Sequence, residues 1–254
     1  MEMSHFSLFS GIGGIDLAAE WAGFRTVGQC EIADYPYKVL CKHWPDVPKW
    51  RDIKDVTEQS VRDSGIRAVD LISGGFPCQP YSIAGDRKGE EDDRHLWPEM
   101  LRVISQLHPT WVLGENVAHF VQMELDKVLS DLEGIGYTGQ TFVIPACAVN
   151  APHRRDRAFI VAYSNGIGHK RTEQLPENTR PAEKRTKGIH GTITKLFDDI
   201  DWKARAIQSC FLGESHGVPR RLDRIRCLGN AVMPLQVYPI LKAIYDIESN
   251  IYKG

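Results

Sequence analysis

The sequence predicts an α/β protein with a mainly parallel sheet covered by helices on both faces. Three observations point there. Short apolar runs alternate with amphipathic stretches over roughly the first 145 of the 254 residues, the pattern of strands joined by crossover helices. A glycine-rich turn, "SGIGG", joins the first apolar run to the first amphipathic one. The composition, 42% apolar and 25% charged, is an ordinary globular mixture, and a chain this long buries a core without staples.

Taken in order, "HFSLFS" reads as a strand and "GIDLAAEWAGF" as a helix, with Ile15, Ala18 and Ala22 on one face and Gly23 as its stop. "RTVGQCE" is a second strand. "DYPYKVLCKHW" is a helix with Asp34 as its cap and Pro36 in its first turn. "AVDLIS" and "TWVLGE" are buried strands, "LWPEMLRVISQL" and "ELDKVLSDLEGIG" are helices, and "QTFVIPACA" and "RAFIVAYS" form a last strand pair. From Tyr163 to about Ser215 the chain turns polar and poor in large apolar residues, as a loop or insertion does. "LGNAVMPLQVYPILKAIYDI" then reads as a turn leading into a final amphipathic helix. No internal repeat is present.

Net charge is −2, but it is unevenly spread: residues 1–150 carry −9 and residues 151–230 carry +7. A basic C-terminal part suits a polyanion docking on one side, and a solvated face is the ordinary alternative. No run has the length of a membrane span, and "MEMSHFSLFSGIGG" lacks the basic start and cleavage site of a signal peptide. The expectation is a soluble intracellular protein. Its six cysteines form no C-x-x-C pair and have no zinc-ligand spacing to histidine. Most are expected to be small buried hydrophobes, and no metal is expected.

Four motifs carry chemistry. "FSLFSGIGGIDLA" places glycines between a strand and a helix start, where backbone N–H groups can meet a ligand. Glu31 ends the next strand, where an acid commonly holds ribose hydroxyls. The spacing is not G-x-G-x-x-G, so an adenosine-containing cofactor is favoured over a dinucleotide. "SGGFPCQPYS" follows a buried strand and stiffens Cys78 between Pro77 and Pro80. A nucleophile needs such presentation, whereas a packing cysteine does not. "GENV" puts Glu115 at the same sheet edge, as an acid or hydrogen-bonding group. "APHRRDRAFIV" sets Arg154, Arg155 and Arg157 ahead of a strand, available to phosphate or to a carbonyl. Each has an ordinary reading: a tight turn, a cysteine in a proline turn, an exposed glutamate, a solvated charge run.

In this order, with a GN pair near the C-terminus, the motifs resemble the DNA (cytosine-5) methyltransferase family of the compact, prokaryotic or phage type. The likeness spans nearly the whole chain except Ser164 to about Ser215. The resemblance implies a Rossmann-like, S-adenosylmethionine-dependent methyltransferase fold with a short target-recognition region. The implied divisions are a catalytic domain over 1–163, recognition over 164–215, and a returning segment over 216–254. It implies Cys78 as nucleophile, Glu115 as the group that holds cytosine N3, and Arg155 as its support. Cofactor contacts would come from Phe9, Gly11, Ile12, Gly13, Glu31, Ile32, Asp52, Ile53, Pro77, Asn230 and Ala231. DNA or target-base contacts would come from Gln79, Ser82, Arg87, Arg94, Asn116 and Arg157, with Tyr81, Ser82 and Arg87 closing over a flipped base.

Two departures from the family stand out. His153 replaces the usual glutamine after the proline, and "HGVPRRLDRIRCLGNAV" stands where a longer stretch normally precedes GN. The expected partner is double-stranded DNA, with a cognate restriction endonuclease, a monomeric state, and a location in the bacterial nucleoid or phage-infected cytoplasm. A tRNA cytosine-5 methyltransferase, a catalytically inactive nucleic-acid-binding relative and a nicotinamide dehydrogenase are the alternatives.

Overall fold

The fold is given by a computed structural model that describes residues 2–77, 96–149, 151, 155–166 and 231–251. Cys78, Gln79, Tyr81, Ser82, Arg87, Arg94, His153, Arg154, Gly229 and Asn230, and the expected recognition region, lie outside the described residues.

Seven strands form one sheet: β1 (Met3–Leu8), β2 (Phe24–Cys30), β3 (Lys49–Trp50), β4 (Leu71–Gly74), β5 (Trp111–Val117), β6 (Tyr137–Ile144) and β7 (Arg157–Ser164). Their order is β3-β2-β1-β4-β5-β7-β6. The first five pair in parallel, and β7 runs antiparallel to both β5 and β6. The expected last strand pair is therefore the antiparallel element of a mainly parallel sheet. Among the described residues six α-helices accompany it: α1 (Gly14–Ala22), α2 (Asp34–His43), α3 (Glu58–Asp63), α4 (Trp97–Leu107), α5 (Leu125–Gly134) and α6 (Pro234–Ile251).

Strand alternation sends side chains to two cores. Phe6 and Leu8 of β1, Ile72 of β4 and Val112 of β5 face one side, where they pack with Val61 of α3, Val103 and Ile104 of α4, and Val128 and Leu132 of α5. Met3, Leu71, Trp111 and Leu113 face the other, against Ile15, Ala18 and Ala19 of α1 and Val237, Ile240 and Ile244 of α6. Small residues along α1 let α6 lie close, so the last described helix completes the sheet's second covering layer. Among the described residues no helix is long and apolar enough to cross a membrane.

Local chemistry explains most boundaries. Gly23 caps α1 at φ 110°, as expected from its sequence. Asp34 does not cap α2. Ala33 holds that position without a side-chain bond, and Asp34 is the first helical residue. Its carboxylate instead accepts from Arg51 Nη2 at 2.5 Å, and that guanidinium also reaches Ile32 O. Among the elements absent from the sequence reading, three lie between β2 and β4. The two-residue β3 and a 3₁₀ turn over Ile53–Asp55 are too short to show a period, and α3 begins at a Thr57–Ser60 capping box rather than at a long apolar stripe.

Candidate active site

β1 and β4 end level with one another, and β5 runs past them to Val117. Leu8 pairs with Gly74, and Gly74 with Gly114. The glycine turn and the loop leading to Cys78 therefore leave the sheet side by side, next to Glu115 in the extension of β5. A cleft of about 1020 Å³ opens at this edge. Nine of the residues expected to hold the cofactor line it: Phe9, Gly11, Ile12, Glu31, Ile32, Asp52, Ile53, Pro77 and Ala231. Gly13 lies on the far side of the turn. It lines a second, more apolar hollow of about 620 Å³ with Trp44, Arg155, Ala231 and Val232.

The turn is held in an unusual shape. Phe9 sits at φ 51°, in the left-handed region, beside Gly11 and Gly13 at φ 56° and 85°. For a phenylalanine this conformation costs on the order of 1 kcal/mol, so its surroundings must enforce it. Glu31 provides one restraint. Its Oε2 accepts from the Gly11 N–H at 2.8 Å and its Oε1 from the Ala33 N–H at 2.7 Å. The carboxylate is fixed at the mouth of the cleft with further lone pairs available. Gly14 begins α1 so close to the C-terminal segment that a methyl group there would stand 2.4 Å from Val232 O.

The remaining walls suit a flat, polar-edged group. Ile32 is 67% exposed, an unusual amount for isoleucine, and offers an apolar face. Asp52 accepts from the Lys54 N–H at 2.9 Å with one oxygen, which starts the 3₁₀ turn and places its carboxylate at the rim. Cys30 also lines the cleft, but burial, then the charges of Glu31, Asp52 and Asp55, push its thiol up to about 12. It is a neutral wall, not a thiolate.

Glu115 is buried just behind the cleft. Its Oε1 meets Arg157 Nε at 2.8 Å, and the two side chains are 10% and 13% exposed. Burial pushes its carboxyl up to about 7, against the pull of Arg157 and Arg155. Gly75, which lines the cleft, makes room for it: a Cβ there would lie 2.8 Å from Glu115 Oε2. Asn116 is 5% exposed. Its Nδ2 donates to Phe76 O at 3.1 Å and its Oδ1 accepts from the Val117 N–H at 2.9 Å. Its Nδ2 end thus holds the loop that leads to Cys78, and its Oδ1 end is engaged by its own strand.

Arg157 makes an ion pair with Glu115. Arg155 lies before the strand at φ 30° and donates from Nη2 to Ala231 O at 2.7 Å. Its charge also acts on the Glu115 carboxyl. Gln236 of α6 was not visible as a site residue in the sequence. Wholly buried, it donates from Nε2 to Ile144 O at 2.9 Å and to Arg155 O at 3.0 Å. It ties the end of β6 and the arginine segment to the final helix.

A parallel sheet with one antiparallel strand, a glycine turn closed by an acid, and a buried carboxyl group beside the next loop define a methyltransferase-type α/β protein. The match to known families narrows this. The C-5 cytosine-specific DNA methylase model matches residues 3–221, and the chain belongs to that family. It is 32% identical over 206 residues to the type II methyltransferase M.AquIA of Picosynechococcus sp., covering 74% of this chain and 82% of that one. It is 30% identical over 210 residues to M.NgoMIV of Neisseria gonorrhoeae, covering 80% of this chain and 64% of that one. With other curated relatives it shares less of their length: the matched part is 42% of M2.BsuMI of Bacillus subtilis and 37% of M.HgiCII of Herpetosiphon aurantiacus. Among solved structures, a prophage-encoded protein of E. coli described as a DNA modification methyltransferase superposes with a TM-score of 0.67 at 18% identity, covering 98% of this chain and 100% of that one. S. pombe Dnmt2 superposes at 0.60 and 17% identity, covering 99% of each. At these identities the superpositions establish the fold, which is the mixed α/β methyltransferase fold.

Proposed function

We propose that the protein methylates carbon 5 of cytosine in double-stranded DNA, with S-adenosylmethionine as methyl donor and Cys78 as nucleophile. The observation that carries this reading is Glu115, buried against Arg157 at the sheet edge and opposed by Gly75, three residues before Cys78. A lone exposed glutamate would be ionised at neutral pH. This one, at about 7, is poised between holding and releasing a proton.

The cleft fits the donor's nucleoside end. Glu31 would accept from ribose hydroxyls, Ile32 would cover one face of the purine, and Asp52 would meet its exocyclic amine. S-adenosylmethionine supplies the methyl group on a sulfonium, an electrophile strong enough for an activated carbon. The protein's own groups supply the activation. The Cys78 thiolate adds to carbon 6 of the flipped-out cytosine, and Glu115 holds a proton at N3 as electron density moves into the ring. Carbon 5 would take the methyl group as the sulfonium–methyl bond breaks and the neutral thioether leaves; it then loses its proton to water, and the carbon–sulfur bond at carbon 6 breaks to return the thiolate. Arg157 keeps the Glu115 carboxyl in place, and Arg155 stays near enough to meet the base. Asn116 holds the backbone at Phe76, and so the approach of Cys78. Gln79, Ser82, Arg87 and Arg94 would face the DNA, and the +7 of residues 151–230 suits phosphate contacts.

The test is transfer of a tritiated methyl group to duplex DNA and to tRNA in parallel, with DNA carrying 5-fluorocytosine as a trap. Label in DNA and a covalent adduct that Cys78→Ala abolishes are expected. Label in tRNA alone would overturn the DNA reading, and label in neither, with no adduct, would overturn the enzyme reading. Bisulfite sequencing of an expressing host, compared with Cys78→Ala, would give the target sequence. It would also set the stage for a search for a cognate endonuclease, while sedimentation would test the monomer.

A further inference from the structure

A buried carboxylate that the chemistry above does not use lies directly beneath the glycine turn. Asp16, the third residue of α1, is wholly buried. Its Oδ2 accepts from Ser7 Oγ at 3.0 Å and its Oδ1 accepts from Gln29 Nε2 at 2.9 Å. Ser7 and Gln29 are direct partners in the β1–β2 ladder. One carboxylate from the helix thus spans one rung of the sheet, at the last level but one before the strands part.

The position of this rung gives it significance. Ser7 precedes Phe9 by two residues and Gln29 precedes Glu31 by two. Above the rung the same two chains are joined again, by Glu31 to the Gly11 N–H. The turn from Phe9 to Gly13 is therefore held between two carboxylates. Glu31 grips it from the cleft side, and Asp16 grips from below, pinning the first turn of α1 to both strands. Phe9, strained at φ 51°, sits between them.

The arrangement has a cost of its own. Burial pushes the Asp16 carboxyl up to about 6, against the bonds from Gln29 and Ser7, so at neutral pH a charge is kept where burial disfavours it. Gln29 Oε1 is left buried with no hydrogen-bond partner among the described residues, because its amide turns its N–H toward Asp16. A residue chosen for stability alone would avoid both costs, and such costs gather where geometry matters to function.

We propose that Asp16 is a positioning residue for the cofactor cleft. By bridging Ser7 and Gln29 it fixes the geometry in which the Gly11 N–H and the Glu31 carboxylate face an adenosine ligand. The proposal rests on the cofactor assignment made above.

The test compares the intact protein with Asp16→Ala and Ser7→Ala. Amide exchange of Gly11 is followed by NMR without ligand, and binding of S-adenosylhomocysteine by calorimetry. In Asp16→Ala, Gly11 exchange should speed up about tenfold and binding weaken about tenfold, the equivalent of about one hydrogen bond. Exchange at Ile72 of β4 and Val112 of β5 should stay unchanged, and kcat at saturating donor should stay within about twofold while KM rises. Ser7→Ala, which keeps the Gln29 bond, should show a smaller change in the same direction, and it carries the comparison alone if Asp16→Ala does not fold. Unchanged Gly11 exchange and binding, or equal acceleration at Ile72 and Val112, would overturn the proposal. Failure of the unaltered protein to bind S-adenosylhomocysteine would sink the cofactor assignment, and Gly11 exchange would still decide whether Asp16 holds the turn.

Discussion

Glu115 and Arg157 meet at 2.8 Å from neighbouring antiparallel strands, although they are not opposite one another. Arg157 faces Val117 in the ladder, and Glu115 faces Phe159. The pair is therefore diagonal, two residues apart on one face, a distance that only a long side chain spans. Arg155 comes before the strand, with a left-handed backbone at φ 30°, and donates to Ala231 O. Removing the guanidinium leaves burial with less opposition. In Arg157→Ala the Glu115 carboxyl should titrate above its present value of about 7, as read by carbon-13 NMR of the labelled side chain. An unchanged midpoint would mean the ion pair does not act on this group.

The same carboxyl should make stability depend on pH. Its ordinary value is 4.5 and its folded value about 7. Below pH 4.5 it is protonated in both states. Between the two values the folded state holds a proton that the unfolded state has released, so stability falls as pH rises through that window. Glu115→Gln removes the dependence. The stability of the glutamine variant relative to the unaltered protein should therefore rise from pH 4.5 to 7 and level off above. Urea unfolding at a series of pH values checks this, and a difference that stays flat or runs the other way refutes it.

Gly75 supports the pair by leaving space. Alanine there would bring a methyl carbon within 2.8 Å of Glu115 Oε2. The carboxyl would have to leave Arg157, or the loop would have to move outward. Either shift should cost about 1–3 kcal/mol of stability, as overpacking does. Methyl transfer should fall more steeply, because the loop also carries Cys78. A Gly75→Ala protein with unaltered kcat would show that Glu115 needs no fixed place.

The strands, the main helices and the cleft were legible because each leaves a periodic or local mark. Apolar runs bounded by turns gave β1, β2, β4 and β5, and Gly23 gave the end of α1. Glu31 came from its place at the end of a strand, Asp52 and Phe9 came from motif resemblance, and the fold brings them into one cleft. What stayed hidden depends on contacts between distant residues. No local pattern tells that Asp34 serves Arg51 rather than its own helix, or that Arg157 reaches Glu115 from a diagonal position in the ladder. Asp16 looked like one polar residue on a helix. Only the register of β1 with β2 shows that Ser7 and Gln29 both aim at it. Gln236, 81 residues from Arg155, gave no signal at all.

Glu31 offers the most direct separation of binding from folding. Its carboxylate accepts two backbone N–H groups, from Gly11 and Ala33. Glutamine keeps the shape and one acceptor oxygen, but turns an N–H₂ toward a backbone donor, so one of the two contacts is lost. It also loses the charge that strengthens bonds to ribose hydroxyls, which are worth about 1.5–3 kcal/mol when the acceptor is ionised. Glu31→Gln should therefore bind S-adenosylhomocysteine roughly 10- to 100-fold more weakly, while KM for duplex DNA is little altered. Glu31 is buried but lines the cleft, so the lost contact should lower stability by only about 1 kcal/mol. Calorimetric titration beside a melting curve separates the two effects. Unchanged affinity would remove Glu31 from the cofactor site, and a collapse in melting temperature would recast it as a purely structural clasp of the glycine turn.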